Sequence, residues 1–328
     1  MSRRAVLIGG TGQIGRATAR ALAEDGWEVV AVSRSGKVSG ELAALGVRGA
    51  AADRAEDAQL RAAIGDGADV VVDMVAYNRE HGEQLNSLPA GSLIAISSGS
   101  VYVDDDGKGF GDEDFPRFPV PIPETQRSVE PADDGDYARG KAALEEELLA
   151  GPLPATLLRA GAIHGPGAEL PRELFFVKRA MDGRRSVALA WQGRSIFHPV
   201  SAVNIAELIR LAAANPGDRI LNAGDPDPPT TLDICHAIGA ALEYAFEPVL
   251  LPGGEYDNPW AVPSPRILSM TAAERELGYR PVATYPEAVR ETCTWLVGEL
   301  ESGRTWDGTY LADMLDYEAE DAVLEEHG

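Results

Sequence analysis

The chain has 328 residues, of which 45% are hydrophobic and 25% are charged, as in an ordinary soluble globular protein. This length and composition leave ample material for a buried core, and they exclude a peptide hormone, a bare binding module and a globally disordered chain. Asp and Glu number 52 against 29 Lys and Arg, giving a formal net charge of -23. Such a field repels phosphate backbones and anionic membranes, so we expect neither a nucleic acid nor a membrane partner.

The first forty residues predict a βαβ unit. Ala5 to Ile8 form a short run that is apolar on both faces, as in a strand buried in a parallel sheet. A glycine-rich segment, residues 9–15 (GGTGQIG), follows at once. Apolar residues then recur at helical spacing up to Gly26, which is suited to cap the helix. Val29 to Val32 form a second apolar strand.

In this setting the glycine spacing indicates a dinucleotide-binding turn. Gly9 would allow the tight turn, Gly12 the close approach of the backbone to a pyrophosphate, and Gly15 the close packing of helix on strand. The N-terminus of the helix would face the anion. The alternative interpretation is a turn whose glycines serve only the packing of the chain itself.

Strands and helices continue to alternate up to about residue 160, which predicts an α/β fold with a Rossmann-type, doubly wound parallel sheet. A long irregular stretch from Asp104 to Asp136 interrupts this alternation. The predicted helices are Glu41–Leu45, Asp57–Ile64, Glu80–Leu88 and Tyr137–Leu149, and the further predicted strands are Val47–Ala52, Val70–Met74, Leu93–Ser97 and Thr156–Ala160.

After residues 165–167 (GPG) the pattern loosens, with clusters of Pro, Gly and Asp. We therefore expect a dinucleotide-binding domain over residues 1–166 and a smaller, less regular substrate lobe over residues 167–328. A ligand would bind between them, at the carboxyl ends of the strands. The acidic residues that follow Tyr317 predict a solvated tail.

Tyr137 and Lys141 lie four residues apart, so both project from one face of a helix. A phenol with a pKa near 10 is a poor acid or base at neutral pH, but a neighbouring ammonium and a positive nicotinamide ring would lower that pKa. By itself the pair also fits an exposed tyrosine above a surface lysine. Residues 97–102 (SSGSVY) favour the catalytic interpretation, because they follow an apolar strand and place hydroxyls at the same sheet edge as the glycine turn.

In these features the chain resembles the extended short-chain dehydrogenases/reductases, also called the NAD-dependent epimerase/dehydratase family. The matching segments, in order, are the glycine turn, the serine segment, the pair Tyr137-x-x-x-Lys141, and Arg159 followed by Gly165-Pro166. Together they span residues 5–166, and weaker similarity extends to about residue 242. The combination is highly specific, although each part alone is not.

The resemblance implies roles for three side chains. Tyr137 would be the general acid/base, and Lys141 would hold the cofactor ribose and tune the tyrosine. Ser98 would be the third catalytic residue, with Ser97 or Ser100 as the alternatives, and Ser98 and Ser100 would also contact the substrate. The residues expected to contact the cofactor are Gly9, Gly12, Gln13, Ile14, Gly15, Ser33, Arg34, Asp53, Ala76 and Lys141.

The end of the second strand bears on the choice of cofactor. NAD-specific members usually carry an acid there, which holds the ribose 2'-hydroxyl. This chain reads Ser33-Arg34-Ser35, and an arginine flanked by two hydroxyls could bind a 2'-phosphate through charge-assisted hydrogen bonds. NADP is therefore the preferred cofactor, and NAD is the alternative, since Arg34 could instead stack on adenine or face solvent. Asp53 resembles the family's adenine-contacting aspartate, or it is a surface acid.

Departures from the family pattern limit the expected reactions. Dehydratase members follow their catalytic Thr or Ser with an Asp-Glu pair, whereas Gly99 and Ser100 stand there in this chain, which disfavours dehydration. Enzymes acting on nucleotide sugars commonly carry an asparagine where this chain has Ala162, and an arginine near Phe197. We therefore expect a pocket more apolar than a sugar diphosphate requires. Its candidate walls are His164, Trp191, Phe197 and His198, of which His164 and Phe197 are expected to contact the substrate, and neither histidine has a carboxylate at a recognisable spacing.

These observations predict an NAD(P)-dependent oxidoreductase that acts on a carbinol or carbonyl carbon of a small-molecule substrate. Epimerisation of a sugar or nucleotide sugar through a transient ketone is an alternative, and net redox change separates the two. A non-catalytic dinucleotide-sensing module is the alternative of another class. By analogy with the family we expect a homodimer, formed through the helix Glu80–Leu88 and the helix that carries Tyr137.

The two cysteines, Cys235 and Cys293, are too few and too far apart in sequence for a disulfide framework or a metal cluster. We expect buried thiols, no metal, and a cytoplasmic protein. The apolar run at residues 5–8 is shorter than the roughly 7 to 15 residues of a signal-peptide core, and no stretch approaches the roughly 18 apolar residues of a membrane span.

Overall fold

The computed structural model describes residues 3–110, 112 and 115–327. The chain forms two compact units that are interleaved along the sequence. The first runs to Gly161 and then includes Ala202–Ala223 and Leu268–Val282, and the second consists of Ala162–Ser201, Gly224–Ile267 and the residues from Ala283 onward. The sequence predicted a single boundary near residue 166. The two later segments that belong to the first unit are short and separated along the chain, so no local pattern marks them.

The first unit is built on a parallel sheet, as predicted. Over the described residues the sheet has seven strands, in the order β10-β6-β5-β4-β1-β2-β3, and each neighbouring pair is parallel. Strand order reverses between β1 and β4, which is where a doubly wound sheet opens a crevice for a ligand. The strands are β1 (Arg4–Ile8), β2 (Glu28–Ser33), β3 (Arg48–Ala51), β4 (Val70–Asp73), β5 (Leu93–Ser98), β6 (Ala155–Ala160), β7 (Ala162–His164), β8 (Ser186–Leu189), β9 (Pro199–Ser201), β10 (Arg219–Ala223) and β11 (Glu247–Leu250).

The helices begin and end close to the predicted positions wherever periodicity was clear. None of the helices formed by the described residues is long and apolar enough to cross a membrane. The helices are α1 (Gln13–Glu24), α2 (Gly40–Ala44), α3 (Asp57–Ile64), α4 (Arg79–Asn86), α5 (Tyr137–Ala150), α6 (Leu174–Met181), α7 (Ala202–Ala214), α8 (Thr231–Ala241), α9 (Thr271–Leu277), α10 (Tyr285–Glu301), α11 (Tyr310–Asp313) and α12 (Tyr317–His327).

Strand β10 was not predicted. It pairs with β6 along its whole length, with Leu221 opposite Leu158. Helix α7, which precedes it in the chain, packs against α1. The apolar residues of β6 are buried, so β10 covers what would otherwise be an exposed sheet edge.

The second unit is smaller and less regular. Its strands form two parallel pairs, β8 with β11 and β7 with β9. Its core lies among α6, α8 and α10, where the rings of Phe176 and Trp260 stack with their centroids 5.6 Å apart. Cys235 and Cys293 are both buried in this core, and desolvation raises the pKa of each thiol to about 12.

The acidic residues after Tyr317 form helix α12, which corrects the prediction of a solvated tail. Glu320 is fully buried, with Oε1 3.1 Å from Nε of Arg179, itself fully buried. Arg184 approaches the other carboxylate oxygen at 3.3 Å. One buried carboxylate among several exposed ones leaves no signal in composition, so the docking of this helix could not be predicted.

Replacing Glu320 tests this arrangement. Glu320→Gln leaves the cation of Arg179 buried without its counter-charge, so we expect the free energy of unfolding to fall by about 3 kcal/mol. Asp321→Asn removes an exposed partner of Arg184 and should cost less than about 1 kcal/mol. Urea unfolding followed by circular dichroism measures both, and equal losses would contradict the docking of α12 through Glu320.

Candidate functional site

The glycine turn joins β1 to α1, and its glycines meet different constraints. Gly9 has a φ of 81°, in the left-handed region that favours glycine. A Cβ on Gly15 would lie 2.3 Å from the carbonyl oxygen of Gly9, so a side chain there would force α1 away from the strand. A Cβ on Gly12 would meet, among the described residues, just that same oxygen at 3.3 Å. The chain's own packing therefore requires glycine at position 15 far more than at position 12.

Gly12 is exposed, unlike Gly15, and it stands at the N-terminal end of α1. The first turn, residues 13–16 (QIGR), carries no carboxylate. An uncapped helix N-terminus with this composition favours an anion, since its backbone N–H groups and its dipole both attract negative charge. The open space beside Gly12 would let a pyrophosphate approach the backbone. The turn thus fits a dinucleotide.

The other side chains expected to contact a cofactor lie at the same edge of the sheet. Ser33 ends β2, and its hydroxyl accepts the N–H of Gly36 at 3.1 Å. Arg34 follows it and is exposed. Asp53 is exposed just after β3 and accepts the N–H of Ala55 at 3.0 Å. Gln13 is half-buried and Ile14 is buried within α1.

Ser98 and Tyr137 are brought together at the ends of β5 and α5. The phenol of Tyr137, at the first residue of α5, is hydrogen-bonded to the side chain of Ser98. The Ser98 oxygen accepts hydrogen bonds from the backbone N–H of Ser100 at 3.1 Å and from the Ser100 hydroxyl at 2.8 Å, so Ser98 donates its own hydrogen to the Tyr137 oxygen. Asp136 caps α5 by accepting the N–H of Arg139 at 2.8 Å, which fixes where the helix starts.

Ser97 does not join this group. Successive side chains of a strand point to opposite faces, and the Ser97 hydroxyl donates to Oε1 of Glu145 at 2.5 Å. The same carboxylate accepts two hydrogen bonds from Arg159, at 2.9 and 2.6 Å. All three side chains are buried. Ser97 is therefore wrong as an alternative for the third catalytic residue. Arg159 holds α5 to the sheet through the carboxylate of Glu145.

Lys141 is 6% exposed, and its Nζ donates to the backbone carbonyls of Ala76 at 2.6 Å and Ile96 at 2.8 Å. An ammonium has three N–H donors, so one remains for a cofactor hydroxyl. Desolvation lowers the pKa of Lys141 to about 8. Its nitrogen lies 5.8 Å from the centroid of the Tyr137 ring.

The pKa of Tyr137 is raised, whereas the sequence predicted that it would be lowered. Desolvation of the phenol raises this pKa, and the hydrogen bond with Ser98 opposes the rise. The ammonium of Lys141, 5.8 Å from the centroid of the ring, is not a cause of the shift. A lower pKa would therefore depend on the charge of a nicotinamide ring.

His164 and His198, in the second unit, share a partner that the sequence did not reveal. The Nε2 atom of His164 lies 2.8 Å from Oδ2 of Asp225, which is 61 residues away in the chain. The Nε2 atom of His198 lies 2.7 Å from the backbone carbonyl of the same aspartate. Both rings are buried, His164 to 1% exposure. The prediction that neither histidine pairs with a carboxylate is wrong for His164, because Asp225, which is distant in the chain, supplies one.

Phe197 is half-buried in the second unit, and two cations lie near its ring. The guanidinium groups of Arg172 and Arg266 lie 5.1 and 5.7 Å from its ring centroid. The surroundings of Phe197 are thus less apolar than the sequence suggested. These arginines are distant in sequence from Phe197, so no local pattern could have found them. No cluster of three or more metal-binding side chains occurs within the described part of the chain.

A glycine turn after β1, a serine at the end of β5 and a tyrosine and lysine one turn apart on α5 are thus all present, as the resemblance to the short-chain dehydrogenases/reductases implies. Residues 5–91 match the model of the NAD dependent epimerase/dehydratase family. This match agrees, over residues 5–91, with the family predicted from the motifs. No curated protein sequence matches the chain.

Solved structures share the fold at low sequence identity. The UDP-glucose 4-epimerase of Thermotoga maritima with UDP-glucose is 19% identical, with a TM-score of 0.67 over 90% of this chain and 99% of that one. The dTDP-glucose 4,6-dehydratase of Bacillus anthracis in complex with NAD is 17% identical, with a TM-score of 0.67 over 92% and 98%. An enzyme of Bordetella bronchiseptica in complex with NAD is 15% identical, with a TM-score of 0.67 over 91% and 95%.

Alanine at two of the glycines should separate binding from packing. Gly12→Ala should leave the melting temperature nearly unchanged but weaken dinucleotide binding at least about tenfold, because its methyl group occupies space the pyrophosphate needs. Gly15→Ala should lower the melting temperature, since its methyl group clashes with Gly9. Scanning fluorimetry and titration with NADPH and NADH measure these effects. If Gly12→Ala bound dinucleotide as tightly as the unmodified protein, this turn would not be the site.

Proposed function

We propose that the chain is an NAD(P)-dependent oxidoreductase that moves a hydride between the nicotinamide and a carbinol or carbonyl carbon of a small molecule. The observation that carries this proposal is the contact of Ser98 with Tyr137 beside the buried ammonium of Lys141. These groups lie at the edge of the sheet where the glycine turn fits a dinucleotide. The cofactor would supply or accept the hydride, and the chain supplies positions and protons.

Each of the three side chains has a role that follows from its contacts. Ser98 accepts two hydrogen bonds from Ser100, so its single hydrogen is directed at Tyr137 and would pass to the reacting oxygen of a substrate that lies between the two hydroxyls. Tyr137 has a raised pKa, so it is protonated at neutral pH and can donate a proton to the alkoxide formed from a ketone. Lys141 would use its third N–H to hold the cofactor ribose.

Epimerisation is the second candidate function. The solved relatives include a UDP-glucose 4-epimerase with its nucleotide sugar, and Arg172 and Arg266 beside Phe197 would supply positive charge that a sugar diphosphate needs. The same Ser98 and Tyr137 would then serve removal of the hydride and its return to the opposite face of a ketone. Dehydration remains disfavoured, because position 99 is glycine.

Tyr137→Phe tests the chemistry. We expect turnover to fall by about 10²- to 10⁴-fold, the usual contribution of a general acid, while dinucleotide binding persists through Lys141. Tyr77→Phe is the matched control: its ring lies 5.6 Å from that of Tyr137, but its hydroxyl donates to the carbonyl of Gly135, so turnover should change little.

The assay for these variants is a panel of ketones, alcohols and sugar nucleotides. Turnover with net consumption of NADPH or NADH supports the oxidoreductase, and turnover of a sugar nucleotide without it supports the epimerase. Full activity of Tyr137→Phe would contradict both. Tight dinucleotide binding with no turnover of any substrate would favour a sensing module.

We propose NADP as the preferred cofactor, with NAD as the alternative that the family description and the relatives' complexes favour. Arg34 is exposed next to Ser33 and Ser35, where its guanidinium and two hydroxyls would meet a 2'-phosphate. Arg34→Ala should weaken NADPH binding about tenfold or more, which corresponds to the loss of one charge-assisted contact, and should leave NADH binding unchanged. A fluorescence titration with NADPH and NADH measures both affinities. Tighter binding of NADH by the unmodified protein would contradict the preference for NADP.

A homodimer through α4 and α5 stays a prediction. The two helices pack against each other, as a four-helix interface requires. Their exposed positions include Glu80, Glu83 and Glu146. A two-fold pairing of this surface would bring like charges together, which opposes tight association at low ionic strength.

A further inference from the structure

Asp73 is a fully buried carboxylate that the sequence analysis did not single out. It ends β4, next to the point where strand order reverses. Its Oδ1 accepts the backbone N–H groups of Val75 and Ala76, both at 2.7 Å. Its Oδ2 lies 2.9 Å from Nη1 of Arg54, whose side chain is 15% exposed. The carboxylate therefore fixes the turn at residues 74–76.

The same turn holds Lys141. The carbonyl of Ala76, whose N–H donates to Asp73, accepts a hydrogen bond from Nζ of Lys141 at 2.6 Å. A change in the position of this peptide would move the point at which the ammonium is bound. Asp73 is thus linked to Lys141 by hydrogen bonds through one residue, Ala76.

The hydrogen bonds alone do not require a charge at position 73. An asparagine could accept the same two N–H groups through its amide oxygen. Burying a carboxylate is unfavourable unless nearby cations offset the cost, and Arg54 and Lys141 are both near. What aspartate adds over asparagine is therefore negative charge next to the buried ammonium.

We propose that Asp73 is a positioning residue for Lys141: its carboxylate presents the Ala76 carbonyl to the ammonium, and its charge keeps that ammonium protonated in a desolvated site. Arg54 acts in the opposite direction and limits this effect. The consequence for catalysis rests on the proposed function, in which Lys141 serves the cofactor. The positioning itself does not.

The charged groups around Lys141 agree with this assignment. Desolvation lowers the pKa of Lys141 to about 8, Asp73 and Glu145 raise it, and Arg54 lowers it. Glu145 already forms two hydrogen bonds with Arg159, so its charge is largely offset. His81, on α4, has a lowered pKa, due first to desolvation and then to Arg54, with a smaller effect of Lys141. Tyr137, on α5, is the remaining titratable neighbour.

The ammonium is present below the pKa of Lys141 and is lost as pH rises through it. Removing the negative charge of Asp73 lowers this pKa, so the ammonium is lost at lower pH. Removing the positive charge of Arg54 raises the pKa and preserves the ammonium to higher pH. A general loosening of the fold would not produce shifts of opposite sign.

The chain is suited to a direct test, because its only lysines are Lys37, Lys108, Lys141 and Lys178. A pH titration of the lysine side-chain signals by NMR, with the protein alone and with Lys141→Arg for assignment, would measure the pKa of Lys141. In Asp73→Asn we expect this pKa to fall by about one unit, an ordinary effect of one nearby charge. In Arg54→Gln we expect it to rise, and the other three lysines should not move.

Asp69→Asn is the matched control. It makes the same change of charge at an exposed residue immediately before β4 and should leave the titration of Lys141 unchanged. An unchanged pKa of Lys141 in Asp73→Asn, or shifts in one direction for Asp73→Asn and Arg54→Gln, would overturn the proposal. Should Asp73→Asn fail to fold, Arg54→Gln decides: an upward shift supports the proposal and no shift overturns it.

A parallel titration with NADPH and NADH separates this inference from the proposed function. Shifts of Lys141 in the expected directions, in a protein that binds neither cofactor, would support the positioning by Asp73 and contradict the oxidoreductase. Cofactor binding with no response of Lys141 to either variant would overturn the positioning and leave the oxidoreductase standing. In the cofactor-binding case we also expect Asp73→Asn to lose affinity at a lower pH than the unmodified protein.

Discussion

Burial of the Lys141 ammonium is the constraint on which the arrangement of the site depends. A cation removed from water must be hydrogen-bonded or it destabilises the fold. This one is held by the carbonyl of Ala76, which follows β4, and by that of Ile96, which lies within the neighbouring strand β5. Helix α5 is therefore fixed against the carboxyl edge of the sheet. Tyr137 lies one turn earlier on that helix and so meets Ser98 at the end of β5.

One turn further along α5, a buried carboxylate completes the attachment. Glu145 is held by Arg159 on β6 and by Ser97 on β5, so the helix is bound to the sheet by a cation and an anion on the same side. Interactions of this kind preorganise a site, because α5, which carries Tyr137, cannot move away from the sheet without leaving buried charges unpaired. The first two of the three serines in the SSGSVY segment have different roles: Ser97 supports the helix and Ser98 faces the tyrosine.

Local patterns were sufficient to predict β1, the glycine turn, α1 and the alternation up to β6, since periodicity and glycine spacing act over a few residues. They could not predict β10, whose partner β6 is far away in the chain, or the burial of Glu320, which looks like its exposed neighbours. The same limit applies to Asp73 and to the pairing of His164 with Asp225. The predicted direction of the pKa shift of Tyr137 was wrong. Desolvation depends on the folded surroundings of the phenol and not on its neighbours in sequence.

The most direct test of the arrangement is a crystal structure of the protein with a bound dinucleotide. The pyrophosphate should lie at the N-terminus of α1 against Gly12, and Nζ of Lys141 should be within hydrogen-bonding distance of a hydroxyl of the nicotinamide ribose. The Tyr137 hydroxyl should then face the nicotinamide ring across the space in which a substrate carbonyl would lie. A dinucleotide bound away from α1, or a ribose out of reach of Lys141, would contradict the account.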